Sequence, residues 1–523
     1  MLRPTFSALG LLFVLVACLA ALRSEAAATK PNPIILLGID GMEWSVIDKM
    51  GSSLPNFQAL KARGISGRLK TDYGANSPVV WTTVATGVNN DVHGITNFDV
   101  TTDSGSAPVS STLRKVPAIW NMVSIYSRRV MLLGWWGSWP AEKVNGIVVS
   151  DHAARNDPDR VSPPEFEAKY AAALAGIHRD RTIFPDDLDA SVEDRIVTHY
   201  LTTGATEGFD LIVGYLHGID LVSHKYWKYW QPEAFTSVNA ARLEQYKNMI
   251  PNKYKAMDAA LGKVVAAAPK TTNFLVISDH GFGPLPDEFA KISLELDEVF
   301  QKLGLQTRGG KGVDLAKSTV YNHDTAGFQM SKKVRFSLAG RDAGGTVTEA
   351  TKAAVRADVE AKLKSVTWEG GEPVFLVRDA KPFEVKKGAD FIVEVVPAGA
   401  TKILKINGVD TTGPVKAVTE HSGGHGWEPP GIFIAAGPDI NTKADLTGIR
   451  IHDITPTVLY GMGLPVAEDF AGKPFTGLFT SSFVAANPKK TIPTYGKMSE
   501  VKATTSEADK AMLEQLRELG YIE

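Results

Sequence analysis

Three aspartates stand where short apolar, β-branched runs end. Asp40 follows residues 34–39 and precedes Gly41. Asp220 comes a few residues after the run 211–216. Asp279 directly follows residues 274–278 and precedes His280. In open α/β sheets, ligands bind outside the carboxyl ends of the strands, so carboxylates at three such ends converge on one crevice. Any one of them reads equally well as a turn or helix-capping aspartate. Histidine supplies the discriminating signal. His224 lies four residues after Asp220, close enough to reach the same ion if the segment is helical or turns back. His280 is adjacent to Asp279, and His425 sits in the flexible stretch Gly423-Gly424-His425-Gly426 that leads into residues 432–435. Carboxylate oxygen and imidazole nitrogen are the ligand set of zinc or a similar divalent ion. Six such ligands serve two sites if something bridges them. His217 and His421 lie near this group in the chain and are candidates to orient ligands. His152, His178, His199, His323 and His452 lack such partners and read as ordinary core or surface residues.

A hydroxyl at a helix start is the candidate bridge. Asn76-Ser77-Pro78 is followed by residues 79–86 and then Gly87. Serine at the N-cap, proline at the first helical position and glycine past the end make the pattern of a short helix. Ser77 could serve as a cap alone. A helix N-terminus also favours an anion such as phosphate, and a hydroxyl ligated by a metal there ionises and acts as a nucleophile. Thr82 and Thr83 match by type but lie inside the helix, away from its electropositive end.

The elements that must position these groups follow from length and patterning. A chain of 523 residues divides into two or three domains. Its 44% hydrophobic and 22% charged content is ordinary for a globular protein and excludes disorder and fibrous repeats. A formal charge of −2 gives no sign of nucleic-acid duplex binding or a polybasic membrane patch. Short apolar runs at 34–39, 130–133, 211–216, 274–277 and 432–435 read as buried parallel strands. Helical patterns at 55–63, 191–200 and 240–268 lie between them. The alternation predicts an α/β fold: a doubly wound, mostly parallel sheet with helices on both faces. Residues 286–418 read differently, as short segments punctuated by Gly pairs (334–338, 374–377, 391–396 and 402–406). These predict an inserted, smaller α+β cap domain, leaving 27–285 and 419–487 as the catalytic core. Residues 488–523 form a polar tail with a short helix at 512–519. At the N-terminus, Arg3, an apolar run at 8–22 and small residues at Ser24 and Ala26 describe a secretory signal peptide of residues 1–26. The run is shorter than the about 20 residues of a membrane span, so the mature chain is expected to be exported, periplasmic or secreted, with no later span. The alternative is a lipoprotein anchored at Cys18, the sole cysteine, which follows Leu15-Val16-Ala17; the apolar residues after it favour the soluble form.

As an ordered set, these motifs resemble the alkaline phosphatase superfamily, most closely its type I phosphodiesterase/nucleotide pyrophosphatase branch. The resemblance runs through Ile34-Ile35-Leu36-Leu37-Gly38-Ile39-Asp40-Gly41, residues 77–94, residues 220–224, Ser278-Asp279-His280-Gly281 and Gly424-His425-Gly426. It implies one zinc held by Asp40, Asp279, His280 and the nucleophile oxygen, and a second held by Asp220, His224 and His425. The family nucleophile lies ten residues before the glycine of a Thr-Gly pair, which counted back from Gly87 is again Ser77. Two departures bear on the substrate. Threonine is usual at the nucleophile in the pyrophosphatases, and the family asparagine after His-Gly-Ile stands one residue early here, as Asn97. The resemblance implies hydrolysis of a small-molecule phosphate ester, most directly a phosphodiester or nucleotide pyrophosphate bond, through a serine phospho-enzyme. Phosphomonoesters, phosphonates and sulfate esters are the alternatives on this scaffold, and a non-catalytic anion-binding protein is the alternative of another class. A cofactor-independent phosphoglycerate mutase uses a similar scaffold, but the expected export argues against that substrate. Asn97, Lys225 and Trp135 are candidate substrate contacts. Trp136 and the run Tyr226, Trp227, Tyr229, Trp230 offer surfaces for a nucleobase if they are not ordinary packing.

Overall fold

The computed structural model describes residues 30–71, 76–102, 105–179, 190–236, 238–285, 292–309, 312–323, 331–381, 384–385, 388–396, 404–411, 415–417, 421–425, 430–499 and 513. The signal segment, Cys18 and all but one residue of the expected C-terminal helix lie outside them.

One eight-stranded sheet organises the chain. Its strands are β1 (Ile34–Ile39), β2 (Ile65–Leu69), β3 (Val130–Leu133), β4 (Gly146–Val149), β5 (Val161–Ser162), β6 (Leu211–Leu216), β7 (Asn273–Ile277) and β8 (Gly431–Ala436), in the spatial order β2-β8-β7-β1-β6-β3-β4-β5. The central pairs β7/β1, β1/β6, β6/β3 and β3/β4 are parallel. β1 is buried along its whole length, as a strand covered on both faces must be. Its side chains alternate between two cores, as the period of two dictates. Ile35, Leu37 and Ile39 enter one, and Ile34 and Leu36 enter the other.

Residues 432–435, expected among the parallel strands, run antiparallel to both neighbours, β7 and β2. A strand buried on both faces is continuously apolar whichever way it runs, so the pattern carries no direction. The edge strands β2 and β5, and β4 beside β5, have no counterpart among the expected strands. They are short and, in β2, only half-buried, which leaves little apolar signal.

The helices packed on this sheet include α1 (Pro55–Arg63), α2 (Ser77–Thr86), α3 (Ile119–Ile125), α4 (Ala190–Gly204), α5 (Gly218–Trp230) and α6 (Met249–Ala267). The helical pattern at 240–268 resolves into a separate one, Ala240–Tyr246, and α6. The register aligns Gly38 of β1 with Tyr215 of β6 and Ile277 of β7. The three strands therefore end level, and Asp40, Asp220 and Asp279 follow within a few residues. Between Leu294 and Ile406 the chain packs a hydrophobic cluster of its own, with a four-stranded antiparallel sheet and the helix Lys352–Lys364. The chain leaves and re-enters the main body through Gly283–Pro284 and Gly423–Gly424, which pair with each other.

α2 is buried along all its length and is pinned from its far side by His93. Ile95 N–H donates to His93 Nδ1 at 3.2 Å, and Nε2 lies 3.0 Å from Thr83 Oγ1. Thr83 Oγ1 already donates to Val79 O, so Nε2 carries the proton and the ring is neutral. Burial, with Arg114 and His452 adding to it, holds this histidine down at about 3 from 6.5. A depressed folded-state value stabilises above the unfolded one, and that stability is lost as pH falls. We expect the thermal midpoint to fall between about pH 6.5 and pH 3, with a shallower slope in His93→Gln; equal slopes would refute this role.

Candidate metal and nucleophile site

Asp40, Asp279 and His280 are fully or almost fully buried and come together at the ends of β1 and β7. His280 Nε2 lies 3.4 Å from Asp40 Oδ1 and 3.3 Å from Asp279 Oδ2. The ligand atoms of these three residues all lie within 4.8 Å of one another. Gly41 allows this crowding. Its φ of +66° is the left-handed region that favours glycine, and a Cβ would sit 3.0 Å from the Cα of Asp220.

Asp220 sits in the first turn of α5 and His224 one turn on, as an i, i+4 pair with 3.5 Å between Nε2 and Oδ1. Asp194 from α4 accepts from the N–H groups of His217 and Gly218 and so satisfies the start of α5. His425 arrives from across the chain with its ring stacked on His280, centroids 3.9 Å apart. The geometry also draws a group different from the expected one. The ligand atoms of Asp220 and His425 lie within 4.8 Å of His280, while His224 approaches the group through Asp220 and, ring to ring, through His425 at 5.1 Å.

The electrostatics suit cations. Burial, followed by the charges of Asp40 and Asp220, raises Asp279 well above the usual carboxylate range. Burial lowers His224, His280 and His425, so the imidazoles are neutral, the form that binds metal. His280 Nδ1–H donates to Gly281 O at 2.9 Å and His224 Nδ1–H to Gly423 O at 3.0 Å. Each bond turns Nε2 toward the cluster. Among the described residues, Asp40 Oδ1, Asp279 Oδ2, His280 Nε2 and His425 Nδ1 are buried without a hydrogen-bond partner. Such atoms need an explanation, and divalent ions supply one.

Ser77 is not the cap. Asn76 occupies that position in extended conformation, Ser77 is the first helical residue and Pro78 the second. Asparagine caps as readily as serine, which the local pattern could not separate. Val79 and Val80 N–H both bond to Asn76 O at 3.0 Å, so fewer N–H groups remain for an anion than the pattern implied. One turn after Ser77, Trp81 Nε1 donates to Asp40 Oδ2 at 3.1 Å. α2 is thereby tied to the first carboxylate through Trp81. The hydroxyls of Thr82 and Thr83 bond back to Pro78 O and Val79 O within the helix.

The other candidates divide. Asn97 accepts from Asn76 Nδ2 at 3.1 Å and donates to Asp99, so its amide lies beside the residue preceding Ser77 despite its early position in the motif. Lys225 is exposed. Trp135 is fully buried and donates to Trp81 O at 3.1 Å; it supports α2 and has no surface to offer a substrate. Tyr226, Trp227 and Tyr229 are buried and pack on Tyr246 and Phe282, as core residues. His421 lies 5.1 Å from the His224 ring, and His217 Nε2 lies 3.8 Å from Asp220 Oδ2. His152 pairs instead with Asp157 at 2.7 Å. Sequence reasoning missed Trp81 and Tyr215, both of which donate to Asp40 Oδ2. Tyr215 lies in an otherwise aliphatic buried run, the one available signal.

Asp279 yields a test. A raised folded-state pKa means that its contribution to stability is lost as pH rises through that value. In chelator-treated protein at pH 8, Asp279→Asn is therefore expected to raise the thermal midpoint. With zinc added the order reverses, since an ion at a hundred times its Kd stabilises by about 2.7 kcal/mol. A lowered midpoint in both conditions would exclude the charge-crowding account.

The sequence matches the family described as type I phosphodiesterase/nucleotide pyrophosphatase over residues 34–396, a stretch that ends before His425. No curated protein matches the sequence. Human ectonucleotide pyrophosphatase/phosphodiesterase 5 is similar in structure, at 14% identity and a TM-score of 0.50, covering 86% of this chain and 100% of that one. An inactive variant of the murine protein in complex with AMP matches at 12% identity and a TM-score of 0.50, with the same coverage. A phosphonoacetate hydrolase from Sinorhizobium meliloti in complex with phosphonoformate matches at 15% identity and a TM-score of 0.48, covering 83% of this chain and 95% of that one. Identities this low carry the fold alone. The family match covers more than half the chain, and the protein belongs to the type I phosphodiesterase/nucleotide pyrophosphatase family of metal-dependent hydrolases.

Proposed function

We propose that this protein is an exported two-zinc hydrolase that cleaves a phosphodiester or nucleotide pyrophosphate bond with Ser77 as nucleophile. The observation that carries the reading is the convergence of Asp40, Asp279, His280, Asp220 and His425, with His224 beside them, next to the helix that begins at Ser77. Asp40, Asp279 and His280 would hold one ion together with the Ser77 oxygen; Asp220, His224 and His425 would hold the other. Bound there, the ions supply Lewis-acid stabilisation of the charged oxygens in the displacement.

The residues then divide the work. Ser77 Oγ gives up its proton to solvent and attacks phosphorus, the Ser77 Oγ–P bond forms, and the P–O bond to the leaving group breaks. The leaving oxygen takes a proton from solvent. Water next attacks phosphorus from the opposite side and releases a proton to solvent, the Oγ–P bond breaks, and the serine oxygen takes up a proton to restore the hydroxyl. Asn97, against Asn76 at the start of α2, is set to donate to a non-bridging phosphate oxygen if its bond to Asp99 yields. His217, with 21% of its side chain exposed, and the half-buried His425 mark the side from which substrate enters. The separate cluster between Leu294 and Ile406 would select the leaving group. Export is proposed from the apolar N-terminal run; no described helix is long and apolar enough to cross a membrane.

The test is paired hydrolysis of bis-p-nitrophenyl phosphate and p-nitrophenyl phosphate by zinc-loaded protein. Faster turnover of the diester is expected, with Ser77→Ala reducing it by on the order of 10³-fold or more. Faster turnover of the monoester would reassign the protein as a phosphatase. Full activity in Ser77→Ala would end the nucleophile assignment.

A further inference from the structure

Asp40 offers its two oxygens to different partners. Oδ2 accepts from the Tyr215 hydroxyl and, at 3.1 Å, from Trp81 Nε1. Oδ1 has no hydrogen-bond partner among the described residues and lies 3.4 Å from His280 Nε2. The direction of these bonds is not open to choice. An indole N–H only donates, and a hydroxyl carries one proton. Trp136 Nε1 donates to the Tyr215 oxygen at 2.7 Å, so the hydroxyl proton is left for Asp40. Two neutral donors thus occupy one carboxylate oxygen and leave the other facing the cluster.

The donors are held rigidly. Trp81 packs edge-on against Trp135 and Tyr215, centroids 5.1 Å apart in both pairs. Trp135 Nε1 donates to the carbonyl of Trp81. Gly38, two residues before Asp40 and on the same face of β1, makes room for the indole: a Cβ there would lie 2.6 Å from the Trp81 ring. Trp81 also belongs to α2, one turn from Ser77. The residue that orients the carboxylate is therefore fixed to the element that carries the nucleophile.

We propose that Tyr215 and Trp81 are positioning residues that make Asp40 a one-oxygen metal ligand, and that Trp81 ties the setting of that ligand to the placement of Ser77. The inference rests on the two-zinc function proposed for this site and deepens it. Hydrogen-bond partners of ligating carboxylates set ligand orientation, and their loss typically weakens metal binding about 10- to 100-fold. Without the two donors, Asp40 can rotate and offer either oxygen, and α2 loses its polar contact with the site.

The experiment is zinc titration against a chromophoric chelator, with the thermal midpoint of the metal-free protein measured alongside. Wild type should bind two ions. Tyr215→Phe, which deletes only the hydroxyl, should weaken one ion about 10- to 100-fold and leave the other unchanged. Trp81→Phe should weaken the same ion and also slow diester hydrolysis at saturating zinc. Trp120→Phe is the control, because it removes a buried indole N–H bonded to Glu142, away from the cluster; it should bind as wild type. Should Tyr215→Phe fail to fold, Trp136→Phe frees the hydroxyl to turn and should weaken the same ion to a smaller degree. Wild-type affinity for both ions in Tyr215→Phe, or in Trp136→Phe where that variant is needed, would overturn the proposal and leave the two-zinc reading standing. A lowered metal-free midpoint with unchanged affinity would reduce Tyr215 to a packing role. Failure of wild type to bind two ions would overturn the two-zinc reading and this inference together.

Discussion

Three buried carboxylates converging within a few ångströms are the constraint on which the rest of the structure depends. Asp40, Asp220 and Asp279 are each at most 1% exposed, and burying one unpaired carboxylate is already expensive. The surroundings respond in kind. Asp40 receives two neutral donors, Asp279 receives the N–H of Gly41, and the imidazoles present lone pairs in place of charges. The basic group that faces all three carboxylates is an imidazole, His280 Nε2. A cationic side chain would neutralise the carboxylates and occupy the space between them; bound ions neutralise them and leave room for a substrate oxygen.

The scaffold delivers these groups by simple means. Parallel strands of matched register end level, so residues just past them share one plane. The sharp turn at Gly41 brings the end of β1 against the first turn of α5. The helical repeat then puts His224 one turn from Asp220, and Asp194 satisfies the start of α5 from outside. The inserted segment leaves and returns through one antiparallel pair, Gly283–Pro284 with Gly423–Gly424. That pair begins three residues after His280 and directly precedes His425. Two histidines distant in the chain, His280 and His425, are thereby brought to the two ends of one antiparallel pair.

Aromatic residues do two kinds of work here. Tyr226, Trp227 and Tyr229 are packing, and Trp135 supports α2. Trp81 and Tyr215 are the ones whose single polar atom reaches Asp40 through an otherwise apolar shell. This is a general use of such side chains: a large buried body fixes the position of one donor.

The residues that cluster were legible in the sequence because the patterns that mark them are local. Aspartate at a strand end, histidine beside it or one turn away, and hydroxyl, proline and glycine around a ten-residue helix are all short-range patterns set by backbone geometry. The repeating apolar runs were sufficient for the α/β sheet, since a strand buried on both faces has no polar alternative. Direction was not legible: β8 is as apolar as β1 and runs the other way. Nor was the partnership of ligands. His425 stands far along the chain from His280, and only closure of the β7/β8 pairing stacks their rings. The donors to Asp40 come from α2 and β6, elements that meet only when the sheet has formed. Tertiary structure decided these points because each depends on contacts between distant segments, and no spacing within a segment encodes them.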